Sequence, residues 1–364
     1  MAKYIEHKRD TELFVAGSLE ELLPEDSVAR AIWMGLEQLD FGAYDGLYQN
    51  DEEGRPALNP RGLTAVWTLA LLRGVTSSIR LASLCGQDLE FRWLLGDAPV
   101  EKSTLCDFRK EHGAALASLS TQVLGALGRN GLLPGENMGV DGTIVRAASS
   151  RHSVKKRKHL EVREQYLEEV IREKLARADC DSESEELKAL ERRRQRVQQA
   201  LAEMAARGLT EASDRLTVTE PDAGLKRQKD GSYAPGYNAQ VVTDLDSGAI
   251  ISREVVDAGG DGGQLQPQCC PKSQSGRYVN RSLYKERLET IAQRLDTAEG
   301  RCQKNARWVV CEGTFARLNS LLHWGRCRMW DRAGAEAELL WRQFVHNLML
   351  LSGIWKPMVP ARTG

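Results

Sequence analysis

Met138-Gly-Val-Asp-Gly-Thr-Ile-Val-Arg-Ala-Ala148 is the stretch on which the fold turns. A short apolar approach leads to Asp141, and the β-branched Thr143, Ile144 and Val145 follow, which predicts a strand over 137–148 carrying an acid near its start. Far along the chain, Val310-Cys-Glu-Gly-Thr-Phe-Ala-Arg-Leu318 sets Glu312 among apolar residues at helical spacing, as an exposed Glu at a helix start. An Asp on a strand and a distant Glu on a helix are carboxylates of the kind that hold the paired cations of a phosphoryl-transfer site.

Upstream of the strand, residues 14–130 read as mostly helical. Leu19 to Leu23 and Val28 to Leu39 carry apolar residues three and four apart. Asn59-Pro60 is a helix-start signal, and Gly62 to Arg73 is apolar enough for a buried helix. Ser77 to Gly86 and Ser103 to Lys110 predict two further short helices, the second with Ser103 as N-cap. Short helices with tight connections fit a helix-turn-helix arrangement or an ordinary bundle. Arg109 and Lys110 are candidate phosphate contacts in the first case and solvated side chains in the second.

Downstream, residues 154–208 are highly charged. Leu160, Leu167, Val170, Ile171 and Leu175 form one apolar stripe, and Leu187, Leu190, Val197, Leu201 and Met204 form another. With the turn-like Asp179 to Ser184 between them they predict an antiparallel helical hairpin, whose runs such as Lys155 to Lys158 and Arg192 to Arg194 read as a solvated face. Tyr237 to Asp244, the Asp246-Ser-Gly248 turn and Ala249 to Val256 predict a β-hairpin. The glycine-rich stretch 258–263 lacks both the GxGxxG spacing and a P-loop lysine. Residues 281–300 and 312–351 read as helices. The fold class is therefore α+β, with a helical N-terminal domain over 1–132 and a second domain over 133–364 interrupted by a helical insertion at 154–208.

Among 364 residues a net charge of −1 excludes a whole-protein field that attracts nucleic acid, so any such contact must be local. No apolar run reaches the roughly 18 residues of a membrane span. The opening Met-Ala-Lys-Tyr-Ile-Glu-His-Lys-Arg-Asp lacks a signal-peptide core, and the eight scattered cysteines lack zinc spacing; both predict a cytoplasmic protein with reduced thiols. His152, His159 and His323 are too dispersed for a hydrolase site.

Four pieces occur in one order: Asp141-Gly-Thr, Gly236-Tyr-Asn-Ala-Gln-Val with Asp261-Gly-Gly-Gln-Leu-Gln-Pro267, Glu312-x-x-Phe-x-x-Leu, and Gly325 to Gly334 running into Phe344-Val-His-Asn-Leu-Met-Leu350. Together they resemble the DDE transposases of bacterial insertion sequences (the IS4/IS5-like superfamily). The resemblance implies a helical DNA-binding domain and an RNase H-like catalytic domain that cleaves and transfers DNA strands at terminal inverted repeats. It implies Mg²⁺ or Mn²⁺ held by Asp141 and Glu312, and a homodimer to join two ends. Paired cations about 3.5–4 Å apart would activate the attacking oxygen and stabilise the leaving one.

The resemblance has gaps. The family's middle acid sits on a later strand, yet here Gln264-Leu-Gln-Pro267 runs almost directly to Cys269-Cys-Pro. This implies an internal deletion with its junction near 267–270, and leaves Asp261 as the nearest substitute ligand. Arg307 and Asn319 stand where DNA-contacting side chains flank the last Glu, and Asn319 replaces an expected Lys. The expectation is a degenerate transposase with little or no strand transfer. A non-catalytic DNA-binding remnant that competes for element ends is the alternative, and a helical interaction protein built on 154–208 is a third reading.

Overall fold

Side-chain capping and apolar spacing shape the N-terminal half. In the computed structural model, which describes residues 17–47, 57–135, 137–177, 185–228, 231–256 and 296–356 together with the backbone of 262–264 and 278–280, α1 (Leu19–Leu22) opens on a Ser18/Glu21 capping box and α2 (Val28–Glu37) on Ser27. Asn59 Oδ1 accepts from Arg61 N at 2.9 Å and starts α3 (Pro60–Leu72), which is buried over most of its length. Ser77 caps α4 (Ser78–Gln87). Asp88 ends α4 and caps α5 (Leu89–Leu95), a helix the sequence reading did not foresee. The next helix, α6 (Lys102–Glu111), begins at Glu101, so Ser103 lies inside its first turn and is not the cap. α7 (Gly113–Arg129) completes the helical part.

The strand around Asp141 is β1 (Met138–Arg146). It pairs antiparallel along its whole length with β5 (Tyr233–Asp244), and Asp141 lies opposite Val241. The other edge of β5 is shared by β4 (Gly224–Arg227) and β6 (Ile250–Val256), giving a four-stranded sheet. Gly248, at φ +77°, turns the chain between β5 and β6. The helical insertion is α8 (Arg157–Arg177) and α9 (Glu185–Ala206), rooted on β2 (Val154–Lys156) and β3 (Arg215–Thr217) and closed over its own small core. A further two-stranded pair joins β7 (Gly262–Gln264) and β8 (Tyr278–Asn280). Residues 178–184, 257–261, 267–270 and 281–295 fall outside the described residues. The hairpin turn, Asp261, the expected junction and most of the expected helix at 281–300 lie there.

Two C-terminal helices close the fold. α10 (Ala298–Ala316) packs on β1, and the chain continues through a π-helical turn at Arg317–Leu321 to α11 (Asp331–Leu351). From Glu338 to Leu351 α11 is buried on every side, and the helix contacts α7, α2, α3 and β6. One hydrophobic cluster consequently runs from Leu23 through Trp67, Phe91 and Val241 to Phe344 and Leu351. The helical segment and the sheet share a single interior, where the sequence reading expected two domains meeting near residue 132.

A charged cluster pins this interior. Glu338 on α11, fully buried, accepts the backbone N–H groups of Arg328 at 2.5 Å and Met329 at 2.7 Å. It pairs with Arg342 at 3.0 Å and with Arg109 of α6 at 3.7 Å. Two guanidiniums share one carboxylate, and burial pulls Arg342 down to about 10. Glu220 plays a comparable part beside the sheet, accepting from Ser149 N, Tyr237 Oη and Asp331 N at 2.8, 2.7 and 3.0 Å. Burial first, then the bond to Glu220, pushes the Tyr237 hydroxyl well above its ordinary range.

Candidate active site

Side chains alternate along a strand, so Gly139, Asp141 and Val145 share one face of β1. α10 crosses that face. A Cβ on Gly139 would stand 2.8 Å from Cys311 Sγ and 2.8 Å from Leu245 Cδ2, so only glycine permits this approach. Arg307, one turn before Cys311, donates from Nε and Nη2 to Val140 O at 3.2 and 2.9 Å. Its Nη2 also lies 3.8 Å from Asp141 Oδ1. The other role of that oxygen is local: it accepts the backbone N–H of Gly142 at 2.9 Å, which orients the carboxylate. Burial raises the Cys311 thiol, the charge of Asp141 raises it further, and Arg307 opposes both.

Strand and helix therefore meet at Asp141, Arg307 and Cys311. Glu312 follows Cys311 directly, in the penultimate turn of α10 and exposed, not at a helix start as its sequence context suggested. Asp141 is 36% exposed, so solvent and an incoming ligand reach it. Carboxylate oxygens such as those of Asp141 and Glu312 are hard donors of the kind that Mg²⁺ or Mn²⁺ takes. Among the described residues no group of three His, Cys, Asp or Glu side chains is placed to hold a metal ion.

The expected DNA contacts separate. Lys110 and Arg307 are exposed, and Asn319 is half-buried in the π-helical turn. Arg109 faces inward: only 6% of it is exposed, it stacks over Trp67 at 4.8 Å, and it donates to Thr76 O at 3.2 Å. Its position on a helix ending Arg-Lys-Glu suggested a surface role. The signal for its true partner is Glu338-x-x-x-Arg342, an ion-pair spacing set among the large apolar residues Leu339, Leu340, Trp341 and Phe344.

The free edge of β1 is covered by side chains and loop. Cys327 N donates to Arg146 O at 2.7 Å, Arg326 forms a single parallel bridge with Arg146, and Arg307 takes Val140 O. Among the described residues no further strand pairs there. No helix of the described residues is long and apolar enough to cross a membrane.

Residues 17–111, which span α1 to the last residue of α6, match a family model described as a transposase domain (DUF772). The match supports a transposase role. No curated protein and no solved structure matches the chain.

Proposed function

We propose that this chain is a transposase of the DDE kind, acting on DNA at the terminal inverted repeats of its element, with Asp141 and Glu312 at the reacting phosphate. The transposase-domain match over 17–111 carries the reading. Its support at the site is the packing of α10 on β1, which sets the helix bearing Glu312 beside the strand bearing Asp141. A divalent cation, when bound by these two carboxylates, would neutralise charge on the phosphate oxygens and lower the barrier to in-line displacement. The chain's own contributions are narrower. The Gly142 N–H fixes the Asp141 carboxylate, and Arg307 anchors α10 to Val140 while presenting a cation next to the substrate phosphate. Lys110 and Asn319 are further candidate strand contacts.

Catalysis by this pair alone would be weak. Two carboxylates hold hard cations less firmly than three, and Asp261, the remaining candidate, lies outside the described residues. Among the described residues no further strand pairs with the outer edge of β1, which is compatible with a strand lost near 267–270. On these grounds strand transfer is degenerate, and the reading places the protein in the cytoplasm as a dimer. The non-catalytic DNA-binding remnant is the second reading, favoured by the lack of a third metal donor among the described residues. Incubation of the full chain with element-end DNA and Mg²⁺ or Mn²⁺ separates the two. Nicking lost in Asp141→Asn and in Glu312→Gln supports the site, and nicking that survives both variants overturns it. DNA binding without any nicking selects the remnant.

A further inference from the structure

The two flanks of the α8–α9 hairpin have opposite electrostatics. On one flank Arg194 bridges Glu164 at 3.1 Å and Glu168 at 3.2 Å, Gln198 adds a 3.0 Å bond to Glu164, and Arg172 holds Glu168 from its own helix. These ion pairs run from helix to helix, as expected where two charged helices pack side by side. The other flank opens into a groove of about 610 Å³. Its walls carry Lys155, His159 and Arg163 on one side and Arg193 and Arg196 on the other, over a floor that includes the buried Leu160 and Val197. None of the lining residues is acidic. None of the five basic side chains forms an ion pair with a carboxylate among the described residues.

Like charges facing each other across a cleft destabilise the free protein, and the helices had an alternative on their other flank. Acids placed at the groove positions would have paired as Glu164 and Glu168 do. The uncompensated arrangement calls for an anion from outside. His159 and Arg163 are four residues apart on α8, and Arg193 and Arg196 three apart on α9. Each wall therefore presents nitrogen donors about one helical turn, ~5.4 Å, apart. Repeated cations on both walls suit a polymer with evenly spaced negative charges. The only ring in the lining is the His159 imidazole, so the groove offers no run of aromatic platforms for successive unstacked bases.

We propose that this groove binds the phosphate backbone of duplex DNA, without reading base sequence, as a contact separate from the transposase-domain segment and from Asp141. The chain's overall charge of −1 provides no such attraction, so the segregation of charge on the insertion would be what holds DNA near the β1–α10 site. The inference rests on the reading of this chain as a DNA-processing protein.

The test uses the full chain and a random-sequence duplex, with affinity read by fluorescence anisotropy over a range of salt concentrations. Each phosphate contact contributes about −0.9 to the slope of log K against log salt. The variant Arg163→Gln/Arg193→Gln/Arg196→Gln is expected to flatten that slope by about 2–3. Its thermal midpoint should be unchanged or higher, since repulsion is removed. Arg172→Gln, on the paired flank, should leave the slope as it is. An unchanged slope in the triple variant overturns the groove while the transposase reading stands. Loss of polyglutamate binding with DNA binding intact also overturns it, in favour of an acidic protein partner. Failure of the unsubstituted chain to bind duplex DNA removes both readings together.

Discussion

Arg307 and Asp141 stand 3.8 Å apart at the free edge of β1, while the same guanidinium holds Val140 O at 2.9 Å. Both side chains are partly exposed, so their direct attraction amounts to about 0–1 kcal/mol. The pairing has a larger consequence for ligands. A cation approaching Asp141 meets the charge of Arg307, whereas a phosphate approaching the same place is drawn to it. Arg307→Gln is therefore expected to tighten Mn²⁺ binding by up to about fivefold and to weaken DNA binding. Calorimetry with Mn²⁺ alone checks the first effect, and Asp141→Asn should abolish the heat. Equal Mn²⁺ affinity in Arg307→Gln and the unsubstituted chain would show that the cation, if bound, lies away from this pair.

The close approach of α10 to β1 depends on Gly139. Alanine there would place its methyl 2.8 Å from Cys311 Sγ and from Leu245 Cδ2. Gly139→Ala should cost about 1–3 kcal/mol in a urea unfolding measurement, through overpacking. Removing the sulfur by Cys311→Ala should recover part of the loss, because the clash with Leu245 remains. Equal losses in the two backgrounds would mean that the helix does not rest on this glycine.

Glu338 holds together parts of the chain more than two hundred residues apart in sequence. Glu338→Gln keeps shape and removes charge, leaving Arg342 and Arg109 buried without a counterion. The expected loss is about 3–5 kcal/mol. The double variant Glu338→Leu/Arg342→Met should be milder than the single one, since it removes a buried charge along with its partner. A Glu338→Gln protein as stable as its parent would show that the two backbone N–H bonds, and not the ion pairs, are what this residue contributes.

The parts of this fold that were legible in the sequence are those fixed locally. Asn59-Pro60 and Ser77 start helices by capping, the run around Asp141 makes a strand through β-branched residues, and Gly248 marks the turn between β5 and β6. α5 was missed because one residue, Asp88, ends one helix and starts the next with no intervening loop. β2, β3 and β4 are three or four residues long, too short for alternation to register, and exist through their partners. Glu312 lies on a helix, as its apolar spacing predicts, but near the C-terminal end, because the start of α10 is set by Thr297, whose hydroxyl accepts from Gly300 N at 3.0 Å. The shared interior was hidden for a different reason. Sequence shows that α11 is rich in large apolar residues, but not that both the N-terminal helices and the sheet pack on it.

His346, in the fully buried stretch of α11, links stability to pH. Its Nε2 lies 2.8 Å from Gly248 O, so the neutral ring donates its proton to that carbonyl. Burial pulls its pKa from 6.5 to about 4; the Gly248 carbonyl opposes the shift and Arg317 adds to it. The unfolded chain takes up a proton in this interval that the folded chain excludes. The contribution of His346 is thus complete above about pH 6.5 and is lost progressively as pH falls towards about 4. Urea midpoints measured at about pH 7 and about pH 5 should fall further in the unsubstituted chain than in His346→Gln, whose amide can still donate to Gly248 O but takes up no proton. Carboxylates that lose charge over the same range act equally in both proteins and cancel in the comparison. Parallel declines in the two would assign the acid sensitivity to those carboxylates and remove His346 from the account.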